Sequence, residues 1–292
     1  MISGARSKLI VAICALTAGA AILVGLNAPP SKRHAGPIEY EVKSDFSHIR
    51  VRRQDDVRTL VFVRDSGEEI IESQVDLNRP ERLLLPYTRS MLVSYLIAPQ
   101  HRRALIVGLG GGSMLHFLRH FDPDLKLDVV EIDPVVVRVA DDFFSARAAG
   151  DIRIIAHDAL QFLKEPGDRY DVIYMDAFLG ASDETDASGV PLHLKTGAFF
   201  KTIQARLSPE GLVVFNLHRH RDHDADVRAI RRAFPQVYSF RVAGRGNVIV
   251  AASLVEKRLS PETLRQRAKE LDRTANAGFS FSALVSDSNL RD

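Results

Sequence analysis

Residues 104–112 read ALIVGLGGG, an apolar run that ends in a cluster of glycines. Such a run predicts a strand buried on both faces, closed by a tight turn. Glycine in that turn lets backbone approach a ligand that a Cβ would exclude. The rhythm then repeats. Helical spacing in SMLHFLRHF (113–121) leads to a strand in LKLDVVEI (125–132), and PVVVRVADDFF (134–144) opens a helix with proline at its first position. IRIIAH (152–157), DALQFLKE (158–165), YDVIYMDAF (170–178), TGAFFKTIQARL (196–207), GLVVFNL (211–217) and DADVRAIRRAF (224–234) continue the alternation. Alternating strands and helices give an α/β, Rossmann-like fold with a mostly parallel sheet. VYSFRV and NVIVAAS are separated only by AGRG, so they form a hairpin and make one strand antiparallel. That ending marks a methyltransferase-type sheet rather than an all-parallel dinucleotide fold.

The flanks differ. IEYEVKS, HIRVRRQ and RTLVFVRD carry strand patterns and predict a small antiparallel β unit over 38–78. Residues 79–97 predict a helix interrupted near Pro86, and the Rossmann-like domain spans 79–255. Ser260-Pro261-Glu262 caps a last helix reaching about residue 272, within a C-terminal segment 256–292 whose final twenty residues read as a loose polar tail.

Residues 9–26, LIVAICALTAGAAILVGL, are uncharged. As a helix they span about 27 Å at ~1.5 Å per residue, close to a bilayer's hydrocarbon core. Pro29 and Pro30 end the run, and 29–37 read as a linker. An uncleaved N-terminal membrane anchor, a cleaved signal segment with an exported body, and a soluble helix are the readings left open. The side of the membrane is open as well, because Arg6 and Lys8 on one flank face Lys32 and Arg33 on the other. A net charge of +2 over 292 residues points to no nucleic-acid partner. The single cysteine, Cys14, excludes a disulfide framework within the chain and a multi-thiolate zinc site.

Strand ends carry the chemistry of such folds. Gly108, Gly110 and Gly112 form the turn after the first buried strand, with Ser113 where the dinucleotide fingerprint has its third glycine. Glu131 ends the second strand, nineteen residues after Gly112, where a carboxylate accepts from a ribose diol. Asp133 caps the helix that follows. Asp158, after the third strand, is placed to accept from an adenine amino group, to cap the next helix, or to do both. Asp176 ends the fourth strand, at the centre of the sheet, where it could bind an amine or take its proton. His193 and the acidic loop 183–186 follow. His218, His220 and His223 with Asp222 and Asp224 make a mixed cluster, but interleaved Arg219 and Arg221 disfavour a metal, and none is expected.

The order of VGLGGG, VEIDP, HDA, YDVIYMDAF and FNL, behind a β-rich N-terminal unit, resembles the spermidine synthase (polyamine aminopropyltransferase) family. It is most similar to the divergent, membrane-associated branch of that family. The resemblance implies decarboxylated S-adenosylmethionine or S-adenosylmethionine as co-substrate and an amine acceptor. It implies that Gln74 and Tyr87 line the cofactor and amine pocket, with Asp176 and Tyr87 catalytic, and it is compatible with a homodimer. The pattern departs in three places: Gly111 and Leu179 stand where the family carries acids, and Arg89 where it carries a glutamate. Arg89 in the pocket would repel a polyamine. Methyl transfer, for which Gly111 leaves room for a bulkier co-substrate, and a non-catalytic, membrane-tethered nucleoside-binding protein are the alternatives.

Overall fold

The structure, a computed structural model, describes residues 36–178, 185, 189–242, 244 and 246–286, with backbone alone at 290–291. The hydrophobic run 9–26, Leu179 and loop 183–186 apart from Thr185 lie outside the described residues.

Four antiparallel strands come first, paired in chain order: β1 (Ile38–Lys43), β2 (His48–Gln54), β3 (Val57–Val63) and β4 (Glu69–Asp76). The sequence pattern had indicated three; β4 is the fourth. The β3–β4 register slips, because Leu60 faces Ser73 while Val61 faces Ile71. Glu72 is therefore the extra residue of a β-bulge. The bulge resets the alternation, so Ile71 is 41% exposed and Ser73 only 3%. Ile49, Val51, Leu60 and Val75 of this sheet pack against Val136, Val139 and Phe144 of a helix of the second layer.

Pro86 does not interrupt a helix. It starts one, α1 (Pro86–Met91), because the first helical position needs no N–H. A short helix α2 (Ser94–Ile97) follows. The large sheet comprises β5 (Arg103–Val107), β6 (Lys126–Glu131), β7 (Ile152–Ala156), β8 (Tyr170–Met175), β9 (Leu207–His218), β10 (Gln236–Arg241), β11 (Asn247–Ser253) and a two-residue β12 (Leu290–Arg291). Their order is β12-β10-β11-β9-β8-β5-β6-β7. Strands β5 to β9 run parallel, and β11 pairs antiparallel with both β9 and β10. Of the seven longer strands β11 alone is reversed, as the short AGRG connection requires.

Helices α3 (Ser113–Phe121), α4 (Pro134–Phe144), α5 (Ala159–Lys164), α6 (Gly197–Arg206), α7 (His223–Ala233) and α8 (Pro261–Thr274) cover the sheet. Ile106, Val129 and Tyr174 pack with Met91, Leu115 and Leu264 on one face, while Leu105, Ile173 and Val213 pack with Leu163, Phe199 and Ile230 on the other. Both faces are dry, which explains the unbroken apolar runs of the central strands. The C-terminal segment is less loose than its polarity indicated. Phe281, in α9 (Phe281–Leu284), and Val285 are each 1% exposed and join the first of these cores.

Candidate active site

Strand order reverses between β5 and β8, so the loops leaving their carboxyl ends part and open a cleft. The cleft encloses about 880 Å³ with its mouth included. It is lined by the turn after β5, the ends of β6 and β8, the bulge of β4, Tyr87 of α1 and the segment around His193.

The turn is held from two sides. Gly108, at φ +95°, donates its N–H to the Val130 carbonyl at 2.8 Å, and a Cβ on it would lie 2.2 Å from the Asp176 carbonyl oxygen. Glu131 is buried, and its Oε2 accepts from the Leu109 N–H at 2.9 Å while Oε1 accepts from the Asp133 N–H at 3.0 Å. Burial raises its pKa, and those backbone donors oppose the rise. Each carboxylate oxygen keeps acceptor capacity beyond its one amide, so a diol can still be held. Asp133 caps α4 by accepting from the Val135 N–H at 2.8 Å.

Asp158 divides its two oxygens. Oδ1 caps α5 by accepting from the Gln161 N–H at 2.8 Å, while Oδ2 lies 3.9 Å from His193 Nε2, and both residues line the cleft.

Beyond the turn, Asp176 Oδ1 accepts from Asn216 Nδ2 at 2.8 Å, and Asn216 Oδ1 accepts from Asn247 Nδ2 at 2.9 Å. This buried amide chain fixes one oxygen of the carboxylate, and Asp176 lines the cleft beside Tyr87. The Tyr87 hydroxyl donates to the Glu72 carbonyl oxygen at 3.2 Å and lies close enough to Asp176 to favour its charged form. Burial pushes the Asp176 pKa up to about 6, against the pull of Asn216 and Tyr87. An acid of that strength is ionised near neutrality yet basic enough to receive a proton.

Several expectations change. Gln74 does not line the cleft; its amide donates to Thr59 Oγ1 at 3.1 Å. The bulge carries Glu72 and Ser73 into that place instead. Gly112 is not a cleft residue either. It stands at the N-cap of α3 at φ +75°, where a Cβ would meet the Ala146 Cβ at 2.3 Å. Gly111 leaves no room for a larger co-substrate, because Ser73 Oγ and the Phe144 ring lie 3.0 Å from where its Cβ would be. Arg89 turns away from the cleft and donates to the Leu83 carbonyl at 2.8 Å, so it repels nothing there. His220 sits 3.0 Å from Asp226, which also takes Lys195 at 2.6 Å; this aspartate was not among the acids singled out beside the histidines. Sequence reasoning missed Glu72 and Asn247. Asn216 was in view only as part of the FNL ending.

Residues 87–244 match the spermine/spermidine synthase domain model. The chain belongs to the spermine/spermidine synthase family. It is 31% identical over 238 residues to a polyamine aminopropyltransferase of Vibrio vulnificus, covering 80% of this chain and 77% of the relative. A probable spermidine synthase from Corynebacterium glutamicum superposes with a TM-score of 0.66 at 22% identity, over 80% of this chain and 87% of that one. Human methyltransferase-like protein 13, solved in complex with SAH, superposes with a TM-score of 0.60 at 26% identity, over 65% of this chain and 92% of that one. The likeness to the probable spermidine synthase spans 80% of this chain, more than the matched domain alone.

Proposed function

We propose that the protein transfers the aminopropyl group of decarboxylated S-adenosylmethionine to an amine. The observation that carries this reading is the Asp176 carboxylate, held by Asn216 and set beside Tyr87 in the same cleft as the ribose-type acid Glu131. Family membership and the aminopropyltransferase relatives support it. Glu131 would hold the ribose, Asp158 the adenine amino group, and Gly108 and Gly110 would let the nucleoside lie against backbone. In the reaction the amine lone pair attacks the methylene carbon next to the sulfonium. The carbon–sulfur bond breaks, its electron pair returns to sulfur, and methylthioadenosine leaves. Asp176 orients the amine and receives the proton it loses. In-line placement of the two partners supplies much of the rate.

Methyl transfer is the second reading, favoured by the likeness to methyltransferase-like protein 13. Mass spectrometry of products decides between them. The full chain is incubated with each sulfonium nucleoside and a panel of amines including putrescine and spermidine. Aminopropylated amine plus methylthioadenosine is the expected result. A product heavier by a methylene alone would replace the reading by methyl transfer. Binding of either nucleoside with no product would leave a binding protein.

Residues 9–26, outside the described residues, would tether this body to a membrane. Their uncharged length supports that, and among the described residues no helix is long and apolar enough to cross one. Full-length protein is expected in the membrane pellet after a high-salt wash; intact full-length protein in the supernatant would refute the tether.

A further inference from the structure

Two carboxylates of the cleft share a want of positive charge. Glu72 comes from the bulge of the small sheet and Asp176 from the end of β8, and both line the same cavity with Tyr87. Among the described residues neither forms an ion pair with a lysine, arginine or histidine. Arg64, whose field reaches Glu72, is paired with Glu68 at 3.1 Å. The other ionisable groups lining the cleft are Glu131, Asp158, His157 and His193. His157 lies 3.1 Å from Glu165, and His193 faces Asp158.

A carboxylate largely withdrawn from water and set near a second one is costly unless a cation joins them. Here burial, and then the Asp176 charge, push the Glu72 pKa up to about 8, so in the free protein the group holds a proton through neutral pH. The fold accepts that expense through a specific device. Gly111 lacks a side chain, Ser73 therefore packs 3.0 Å from its Cβ position, and the bulge beside it delivers Glu72 to the cleft. The glycine turn has no acid, and the space an acid there would need is filled by the strand that brings one from the other sheet.

We propose that Glu72 is the specificity-determining carboxylate of this cleft: with Asp176 and Tyr87 it receives a primary ammonium on an alkyl chain and rejects a chain that bears a carboxylate. This rests on the transferase reading above and names the chemistry its site selects. Two partners of the proposed reaction carry that ammonium on a chain without a carboxylate, namely the aminopropyl tail of the decarboxylated nucleoside and the amine acceptor. S-adenosylmethionine carries an ammonium too, but its carboxylate faces two acids.

Calorimetric titration of the full chain and of Glu72→Gln, which keeps the side chain's shape, tests the proposal. Four titrations are compared: methylthioadenosine, decarboxylated S-adenosylmethionine, S-adenosylmethionine, and putrescine added to methylthioadenosine-loaded protein. Methylthioadenosine has no charged tail and should bind both proteins within about twofold, which also shows that the variant is folded. Decarboxylated S-adenosylmethionine, putrescine or both should bind the variant roughly 10–100-fold more weakly, and whichever falls identifies the molecule Glu72 holds. If the nucleoside tail is that molecule, the preference over S-adenosylmethionine shrinks by the same factor. Titration at pH 7.5 in two buffers of different ionisation enthalpy should show the wild type releasing up to about one proton with the affected ligand and Glu72→Gln releasing less, a difference that lost packing would not produce. Unchanged affinity for both amine-bearing ligands, with methylthioadenosine still bound, overturns the role of Glu72 while sparing the transferase reading. Failure of the wild type to bind any of the nucleosides overturns both.

Discussion

Asp176→Asn is expected to lower turnover by roughly 10²-fold or more while methylthioadenosine affinity stays within about twofold. Asparagine keeps the shape and can still accept from Asn216 Nδ2, so the amide chain to Asn247 has a partner. It cannot receive a proton as a carboxylate does. A hundredfold loss corresponds to about 2.7 kcal/mol of transition-state stabilisation, the scale of a general base. The pH profile separates proton transfer from mere orientation. With the pKa raised to about 6, the carboxylate is the major form only above that pH. The wild-type kcat/KM should therefore rise through about pH 6, and the variant should lack that limb. A variant that turns over an amine at the wild-type rate, or that keeps the limb, removes Asp176 from the chemistry.

Asp176 was legible because the chain marks it plainly. YDVIYM is a dry strand, and a carboxylate directly after such a run lies where strand order reverses, at the mouth of the sheet. Glu131 was legible for the same reason, and the two amide hydrogen bonds it accepts could be guessed from its place beside a glycine turn. Glu72 was not. In EIIESQVD strict alternation sets Glu72 and Gln74 on one face, so nothing in the pattern separates them. The slip at Leu60 and Val61 separates them, and a bulge is a property of two strands in register rather than of either one alone. Family resemblance pointed to Gln74, one strand step from the residue that lines the cleft. Gly111 was misread for a related reason. A missing side chain reads as free volume in the sequence, whereas Ser73, distant in sequence, occupies it. Local pattern located the strand ends; contacts between the two sheets decided what fills the space around them.

Gly108→Ala should be among the most damaging single substitutions in the described part of the chain. Two independent penalties meet at this position. A φ of +95° lies where L-residues are strained, at a cost of about 1–2 kcal/mol. The added methyl would also sit 2.2 Å from the Asp176 carbonyl oxygen and 2.9 Å from its carbonyl carbon, which are backbone atoms that no rotamer change can move. Relief requires β5 and β8 to part at the switch point, although the Asp176 N–H is bound to the Val107 carbonyl at 2.9 Å. Crowding of this kind costs about 1–3 kcal/mol and sometimes more. Together they predict a loss of about 2–5 kcal/mol, or a fall in melting temperature of roughly 5–15 °C for a body of this size. Gly110→Ala is the control. It shares a positive φ, +54°, but its Cβ would find only the Ser73 side chain, Cβ at 3.4 Å and Oγ at 3.8 Å, which is ordinary contact. Its melting temperature should fall by less than half as much. Because the clash is with the backbone of Asp176, whatever Gly108→Ala protein remains folded should also turn over more slowly than Gly110→Ala at the same temperature. Equal melting temperatures for the two alanine variants would mean that the close approach of Gly108 to Asp176 does not hold the cleft together.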